Sequence, residues 1–455
     1  MTGSGRTSKR GTNRAGGERV TDDTLFPVGP AKPKAEPPAA ESECRLALPV
    51  RNQVEVQLYD LDSLIPPDHQ VRVVWGYAER ADLTDVYAKF KAVAGRPGRA
   101  AIDPRIMLAL WLYATIEGVG SARALAKLCE NSLPYRWICG GVSVNYHTLA
   151  DFRVECESVF EELLIDGVAS LRAAGAVTLN RVAHDGMRVR ASAGANSFRG
   201  KDTLDRFMQE AKEQVETLRR ELDENPVASD ARIKAAKERA ARERQERVAA
   251  ALQQYASVKK KKKDPKKKAR VSTTDPDARW MRMADGGSRP SYNVQFSTDT
   301  QSQLIVGVEV INGGSDSDQL EPAVRRIQQA HGVTPREILV DGGYVNQKMI
   351  EAVAAEGCTI YMPVPAPSGQ RTCKDRPFIS ETPRVTEWRE RMGTKEAKTI
   401  YKDRAASSEC VNALARNRRL QQFNVRGRRK VRAVALLYAL AHNVMRTASL
   451  MKKAA

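Results

Sequence analysis

The order of strand and helix patterns between residues 181 and 365 is the feature that most constrains the fold of this chain. Strand-like runs lie at 181–191, 291–300, 304–311, 337–340 and 359–365. The second and third runs are joined by a short polar turn and predict a hairpin. Helical patterns separate the last three runs. A strand and a hairpin followed by helix–strand units predict a mixed α/β protein, with a mixed sheet and helices on its faces.

In two of the predicted strands, β-forming residues lead into an aspartate that is followed by glycine. One run reads RVAHDGMRVRA and contains Asp185, and the other reads EILVDGG and contains Asp341. An Asp-Gly pair taken alone most often marks a turn. The ribonuclease-H-like fold has this order of elements, however, and in such a sheet the first and fourth strands can be neighbours. The two carboxylates would then lie together, where they repel each other unless a divalent cation binds them.

A complete metal site needs a third carboxylate, and Glu409 is the candidate. It is the only acidic residue between Asp403 and the end of the chain, within a basic segment. Asn412 and Arg416 follow at three and seven positions, which places all three residues on one helix face. The alternative is an exposed helix glutamate, the usual role of this residue. Oxygen-only ligands suit Mg²⁺ or Mn²⁺, and the glycines after each aspartate would let a phosphate backbone approach.

The charge of the chain is strongly positive. Its 455 residues include 74 Lys and Arg against 55 Asp and Glu, a formal net charge of +19. Such an excess favours a polyanionic partner, most commonly nucleic acid. The seven cysteines form no C-x-x-C pair, which argues for a reducing compartment and against a zinc site. No run approaches the roughly 20 apolar residues of a membrane span, and the N-terminus lacks an apolar signal core, so we expect a cytoplasmic location.

The chain divides by composition into a tail and two domains. Residues 1–44 are rich in Gly, Pro and Lys and predict a disordered tail. Residues 45–178 have helical periodicity, with Ser121 expected to cap one helix and Thr148 to begin another. Short helices joined by glycine-containing turns suit a helix-turn-helix-like DNA-binding domain, although a plain helical domain fits equally well. The sheet-containing catalytic domain would occupy 179–450.

A helical insertion at 201–270 interrupts the predicted sheet domain. Its apolar residues recur at alternating three- and four-residue steps, the pattern of a coiled-coil seam. They are Leu204, Phe207, Ala211, Val215, Leu218 and Leu222. Asn225-Pro226 breaks the helix, so the following residues can return as an antiparallel second arm. The basic run after it is either a phosphate-contacting arm, which we favour, or a solvated linker. That run includes Lys259, Lys260, Lys261, Lys262 and Lys263.

Several blocks resemble the DDE class of insertion-sequence transposases, which is named for its Asp, Asp and Glu residues. HDGMRVRASAGANSFR is similar to the family's first-aspartate motif, and ILVDGGYVN to its second. YKDRAASSECVNALARNRRLQQFNVRG is similar to its Tyr-Arg-Glu-Lys region, with Tyr401, Arg404 and Glu409 in place. GRPGRAAIDPRIMLALWLYA and SVNYHTLADFR resemble its N-terminal helical domain, so the resemblance spans roughly residues 50–446.

Two features depart from the family pattern. Arg416 stands where the family usually has lysine, which keeps the charge but changes the geometry of phosphate contact. The spacing from Arg404 to Glu409 is one residue longer than the common pattern.

The resemblance implies binding of double-stranded DNA at transposon ends and target sites, with metal-dependent cleavage and strand transfer. The ligands of two Mg²⁺ or Mn²⁺ ions would be Asp185, Asp341 and Glu409. Phosphate contacts would come from Tyr401, Arg404 and Arg416. It further implies a homodimer assembled on DNA, no contact with membranes, and action in the bacterial cytoplasm in association with the nucleoid. The rivals are a nuclease that cuts without joining and a catalytically silent, transposase-derived DNA-binding protein; the presence of all three acids argues against the silent protein.

Overall fold

A computed structural model of the chain describes residues 58–90, 100–224, 228–260, 268–365 and 381–454. The predicted tail, the Asn225-Pro226 break and Lys261–Lys263 lie outside these residues. The α-helices are α1 (Gln70–Arg80), α2 (Thr84–Tyr87), α3 (Pro104–Ile116), α4 (Ala122–Asn131), α5 (Leu133–Cys139), α6 (Tyr146–Glu155), α7 (Glu157–Ala173), α8 (Lys201–Glu224), α9 (Ala228–Lys260), α10 (Leu320–His331), α11 (Gln347–Ala355), α12 (Pro383–Gly393), α13 (Lys395–Tyr401), α14 (Cys410–Asn417) and α15 (Arg428–Ala454). The strands are β1 (Arg181–Arg190), β2 (Phe198–Arg199), β3 (Val271–Ser272), β4 (Arg279–Arg282), β5 (Ser288–Asp299), β6 (Ile305–Ile311), β7 (Glu337–Leu339) and β8 (Thr359–Tyr361).

The main sheet has six strands in the order β4-β5-β1-β7-β8, with β6 also paired to β5. Strand β1 pairs antiparallel with β5 and parallel with β7, which in turn pairs parallel with β8. The predicted hairpin is formed by β5 and β6. Strand β1 therefore joins the antiparallel part of the sheet to its parallel part. This arrangement confirms the predicted mixed α/β class, a ribonuclease-H-like sheet with flanking helices preceded by an all-α region.

The two faces of the sheet differ because alternate residues of a strand point in opposite directions. On one face, Met187 and Val189 of β1 and Phe296 of β5 are buried in a core that also includes residues of the N-terminal helices and α15. On the other face, His184 and Gln295 are fully buried polar residues. Apolar packing stabilises the first face, and buried polar side chains contribute to the other. A second hydrophobic cluster packs β7 and β8 against α10, α11 and α12.

The N-terminal helices begin largely at polar capping residues. Ser121 caps α4 as predicted, since its hydroxyl accepts a backbone N–H of the first turn. The helix expected to begin at Thr148 begins instead at Tyr146, because the Asn145 side chain accepts the Thr148 N–H at 3.0 Å. These helices share one hydrophobic core with the sheet. The domain division at residue 178 stays a prediction, and the core shows that the two parts pack together.

The insertion contains two paired helices, α8 and α9. Leu204 near the start of α8 and Ala251 near the end of α9 belong to one buried cluster. Further along, Arg244 of α9 lies 3.4 Å from Glu210 of α8. The pairing is therefore antiparallel. Strands β2 and β3 pair with each other at the base of the two helices.

The C-terminal helix α15 carries the apolar run at 433–441. The run is buried against the sheet and the N-terminal helices, as its sequence predicted. Within the described ranges, none of the helices combines the length and apolar character needed to cross a bilayer.

Candidate active site

Asp185 and Asp341 lie on neighbouring strands. Strands β1 and β7 pair in parallel, with Val182 opposite Ile338 and Ala183 opposite Leu339. The same register, continued by two residues, places Asp185 opposite Asp341. Adjacent strands are about 4.8 Å apart, so the two carboxylates lie close together. Asp185 is in the middle of β1 and not at its end, whereas Asp341 lies just beyond the end of β7. The Asp341 charge accordingly contributes to raising the pKa of Asp185.

A single arginine connects Asp185 to Glu409. The Arg404 guanidinium donates from Nη2 to Asp185 Oδ2 at 3.1 Å and from Nη1 to Glu409 Oε1 at 2.6 Å. The Arg404 side chain is 11% exposed and that of Asp185 is 13% exposed, whereas the Glu409 side chain is 54% exposed. One guanidinium therefore spans two of the three predicted metal ligands.

Asp185 receives further polar contacts from α14 and from its own backbone. Asn412 Nδ2 donates to Asp185 Oδ2 at 3.0 Å, and the Gly186 N–H donates to Oδ1 at 2.9 Å. Burial is the largest effect on this carboxyl and raises its pKa to about 6, against the lowering effect of Arg404. Sequence reasoning placed Asn412 on the Glu409 face but gave it no role.

The extra residue between Arg404 and Glu409 is accommodated by a π-helical turn over Ala405–Glu409. A π-turn is a one-residue insertion in an α-helix that leaves the helix continuous. In this chain α14 follows directly at Cys410. The longer spacing therefore does not separate the two side chains, because the turn leaves Arg404 bonded to Glu409.

A buried polar network lies behind Asp185 on the other face of the sheet. Tyr344 donates its hydroxyl to Gln295 Oε1 at 2.5 Å, and Gln295 Nε2 donates to Asp316 Oδ1 at 2.8 Å. A Cβ atom at Gly186 would lie 2.4 Å from Gln295 Nε2 and 2.9 Å from Asp316 Oδ1. Gly186 is therefore required because a larger side chain would collide with this network. The sequence had suggested instead that the glycine allows a phosphate to approach. The network was not predicted, since its members are far apart in sequence.

The donor atoms near Asp185 suit a hard divalent cation, because the predicted ligands are all carboxylate oxygens. Asp185 lies within β1, and Asp341 lies two residues beyond the end of the neighbouring strand β7. No three acidic, histidine or cysteine side chains of the described ranges are close enough together to bind a metal ion. Arg404 occupies the space between Asp185 and Glu409 instead. The residues fit the cation chemically, and Glu409 can join them only if Arg404 moves.

The predicted phosphate-binding residues have different surroundings. Tyr401 ends α13 and is half-buried, with a pKa raised mainly by burial. Arg416 is exposed and lines a groove of about 690 Å³ that begins at Gly186. Lys259 and Lys260 form the last turn of α9. Lys261–Lys263 fall outside the described residues.

The groove beside Gly186 is strongly basic. Five arginines line it, and Asp285 is the one acidic residue among its described lining residues. The arginines are Arg188, Arg190, Arg282, Arg289 and Arg416. Asp285 is itself paired with Arg289 at 2.5 Å. Arg188 is paired with Asp316 at 3.3 Å, and the groove keeps a net positive charge beside Asp185.

Comparison with known protein families gives two matches. A family model described as a transposase domain (DUF772) matches residues 59–155, and one described as a transposase DDE domain matches residues 257–444. The second match includes Asp341 and Glu409, while Asp185 precedes it. Neither a curated protein nor a solved structure matches the chain.

Proposed function

Since this chain belongs to the DDE class of insertion-sequence transposases, we propose that it binds the terminal inverted repeats of an insertion sequence and catalyses DNA strand cleavage and strand transfer there. The observation that supports this proposal is that Asp185 in β1 and Asp341 just beyond β7 lie close enough for their charges to interact, with Glu409 joined to Asp185 through Arg404. The silent DNA-binding alternative is not favoured, because no acidic residue of the set is replaced.

The proposed metal ligands are Asp185, Asp341 and Glu409. Two Mg²⁺ or Mn²⁺ ions, when bound, would supply Lewis-acid activation of water and stabilisation of the leaving 3′ oxygen. Asn412 orients Asp185 through its hydrogen bond to Oδ2, while Arg404 neutralises the carboxylates before metal binding. On release from Asp185 and Glu409, the same guanidinium would be free to contact a phosphate.

We place the DNA strand in the basic groove that begins at Gly186. Arginine guanidinium groups bind phosphates through paired hydrogen bonds, which suits a groove lined by five of them. Arg416 and Tyr401 would contact phosphates on the α14 side. Lys259–Lys263 would add contacts that depend on charge alone and not on sequence.

The remaining parts of the proposal are inferred from what DDE transposases do. The helical region at 45–178 would recognise the inverted repeats, and two copies of the chain would assemble on DNA to bring the element's ends together. The protein would act in the bacterial cytoplasm, in association with the nucleoid.

The direct test is a cleavage and joining assay. The purified chain is incubated with a duplex that carries the repeat flanking its gene, in Mg²⁺ or Mn²⁺, and then with a supercoiled plasmid. We expect a nick at the element's 3′ end, followed by its covalent transfer to the plasmid. Binding of the repeat without any nick in either metal would contradict the catalytic proposal, and a nick without joined product would favour a nuclease.

A further inference from the structure

A cavity of about 220 Å³ lies outside the carboxylate cluster, between the end of α3, α6, the segment after α14 and α15. Three arginines line it, namely Arg153, Arg418 and Arg419. No acidic residue is among its described lining residues. Arg153 is buried, Arg418 is half-buried and Arg419 is exposed. Buried charges are normally paired, so Arg153 in particular lacks a counter-ion among the described lining residues.

Arg153 is the most deeply buried of the three. It is 5% exposed, and its Nη1 donates to the Gly120 carbonyl oxygen at 2.7 Å. Its guanidinium lies 4.2 Å from the centre of the Trp111 ring, and its Nε has no hydrogen-bond partner. Burial lowers the pKa of Arg153 to about 10, and no opposite charge counteracts that effect. The stacking on Trp111 stabilises the cation only in part.

Arg418 and Arg419 are held beside Arg153 by a close approach of two backbone segments. A Cβ atom at Gly118 would lie 3.2 Å from the Arg418 carbonyl oxygen and 3.2 Å from Arg419 Cγ. Arg419 itself has a φ of 60°, a left-handed conformation that costs about 1 kcal/mol or more in a residue other than glycine. The Arg418 Nη1 is buried without a partner. Such a strained turn is maintained by its surroundings, and here it places Arg418 and Arg419 in the lining of the cavity.

The aromatic rings of the cavity do not favour a stacked base. Trp111, Phe423 and Tyr438 are each at most 2% exposed, so their ring faces are covered. What the cavity offers is hydrogen-bond donors and positive charge. A guanidinium fork matches the oxygens of a phosphate group.

The cavity adjoins the basic groove. Leu420 lines both, and α14 connects Arg416 in the groove to Arg418 in the cavity. Resting on the proposed DNA transposition, we propose that this cavity, which we call the Arg153 cavity, binds one backbone phosphate of the DNA strand that leaves the carboxylate cluster along the groove. The phosphate would supply the anion that Arg153 and Arg418 lack, and so fix the strand's position relative to the carboxylates.

The test compares DNA binding by Arg418→Gln and Arg153→Lys with that of the wild type, over a range of salt concentrations. Arg153→Lys keeps the positive charge but removes the planar guanidinium with its paired donors. Arg418→Gln changes a less buried residue, so the proposal can still be tested if Arg153→Lys does not fold. Arg384→Gln is the control, since Arg384 is exposed and lines neither the cavity nor the groove. We expect the slope of log affinity against log salt to be smaller by about one for Arg418→Gln, and unchanged for the control.

Ethylation of single DNA phosphates identifies the contact. One modified position should weaken binding by the wild type but cause no further loss with Arg418→Gln, because that variant has already lost the same contact. An unchanged salt slope in Arg418→Gln, with every ethylated phosphate affecting both proteins equally, would overturn the proposal for the cavity while leaving the transposase proposal intact. Failure of the wild type to bind the repeat at all would instead count against both.

Discussion

Two buried arginines in this chain have opposite surroundings. Arg404 lies among carboxylates and bonds to Asp185 and Glu409, whereas Arg153 lies on an aromatic ring with a backbone carbonyl as its hydrogen-bond acceptor. The anions that balance Arg404 are built into the chain. Arg153 has no carboxylate bonded to it among the described residues, and the proposed DNA phosphate would supply its counter-ion. The same side chain thus serves in one place as an internal counter-ion and in the other as a candidate binding group.

The two regions also suit two different steps of the proposed reaction, namely cleavage of DNA and binding of DNA. The Arg404 cluster concentrates negative charge that needs a cation, which suits the activation of water by metal ions. The Arg153 cavity and the adjoining groove concentrate positive charge that needs an anion, which suits the positioning of a strand. Damage to the first region should therefore affect chemistry, and damage to the second should affect binding.

The largest expected effect is on catalysis. Asp341→Asn removes a predicted metal ligand without changing the groove, so binding of the inverted repeat should persist while cleavage falls by several orders of magnitude. A gel shift and a cleavage assay on the same preparation measure the two properties. Asp318→Asn is the control, since Asp318 is an exposed carboxylate that bonds to Asn346. Normal cleavage by Asp341→Asn would remove the distinction between the two regions and favour a DNA-binding protein.

The next effect is on stability and its response to metal. Arg404→Met leaves Asp185 buried beside Asp341 with no cation, and breaking a buried ion pair in this way should cost about 3 kcal/mol of unfolding free energy. Mg²⁺ should then stabilise the variant more than the wild type, because no guanidinium competes with it for the carboxylates. Thermal unfolding in Mg²⁺ and in EDTA measures this difference. Equal stabilisation of the wild type and Arg404→Met by Mg²⁺ would mean that Arg404 does not occupy the position of the cation. The double variant Arg404→Met/Asp341→Asn is the control, and its stability should no longer depend on Mg²⁺.

The sequence was sufficient to predict β1, β5, β6, β7 and β8, but β4, which pairs with β5 in the main sheet, and the short β2–β3 pair were not predicted. Runs of β-forming residues that lead into an Asp-Gly pair identified β1 and β7. The ribonuclease-H-like order of elements then implied that these two strands can be neighbours. The π-turn before Glu409 was visible only as a spacing one residue too long. The sequence could not show that Arg404 remains hydrogen-bonded to Glu409 across this turn, because no local pattern specifies that bond.

The side-chain networks could not be predicted from the sequence. The bond between Arg404 and Asp185 joins residues 219 positions apart. The Tyr344–Gln295–Asp316 network and the stacking of Arg153 on Trp111 likewise depend on how separate elements pack. Such contacts are decided by tertiary packing, whereas propensity and periodicity describe only neighbours along the chain. This is why the residues that tune a site are harder to find than the acids that define it.

An effect of similar size should appear as a loss of stability in acid that depends on His442, near the Arg153 cavity. His442 is buried near Arg418 and Arg446, and burial lowers its pKa from 6.5 to about 4. Because the unfolded chain takes up this proton more readily, unfolding free energy should fall as pH drops from about 6.5 towards 4, by roughly 3 kcal/mol for this group. Above the unfolded pKa the contribution is constant.

The measurement for His442 is denaturant unfolding at a series of pH values. His442→Gln removes the titrating group, so its stability should depend less on pH across this window than that of the wild type. The matched control is His147→Gln, since His147 is exposed. Identical pH profiles for the wild type and His442→Gln would show that this histidine is not held neutral.

The smallest effect concerns an arginine whose surroundings resemble neither region. Arg244 and Glu210 face each other across α8 and α9 at 3.4 Å, with side chains 43% and 47% exposed. Water screens such a pair, so a double-mutant cycle of Arg244→Gln and Glu210→Gln should give a coupling of about 0.5 kcal/mol or less, and less still in high salt. Arg244 also donates to Gln214 and lies near the Phe207 ring, and the cycle separates these contacts from the ion pair. A coupling well above 1 kcal/mol would mean that this exposed pair is held as firmly as a buried one. Burial would then not explain why Arg404 and Arg153 differ from the exposed arginines of the chain.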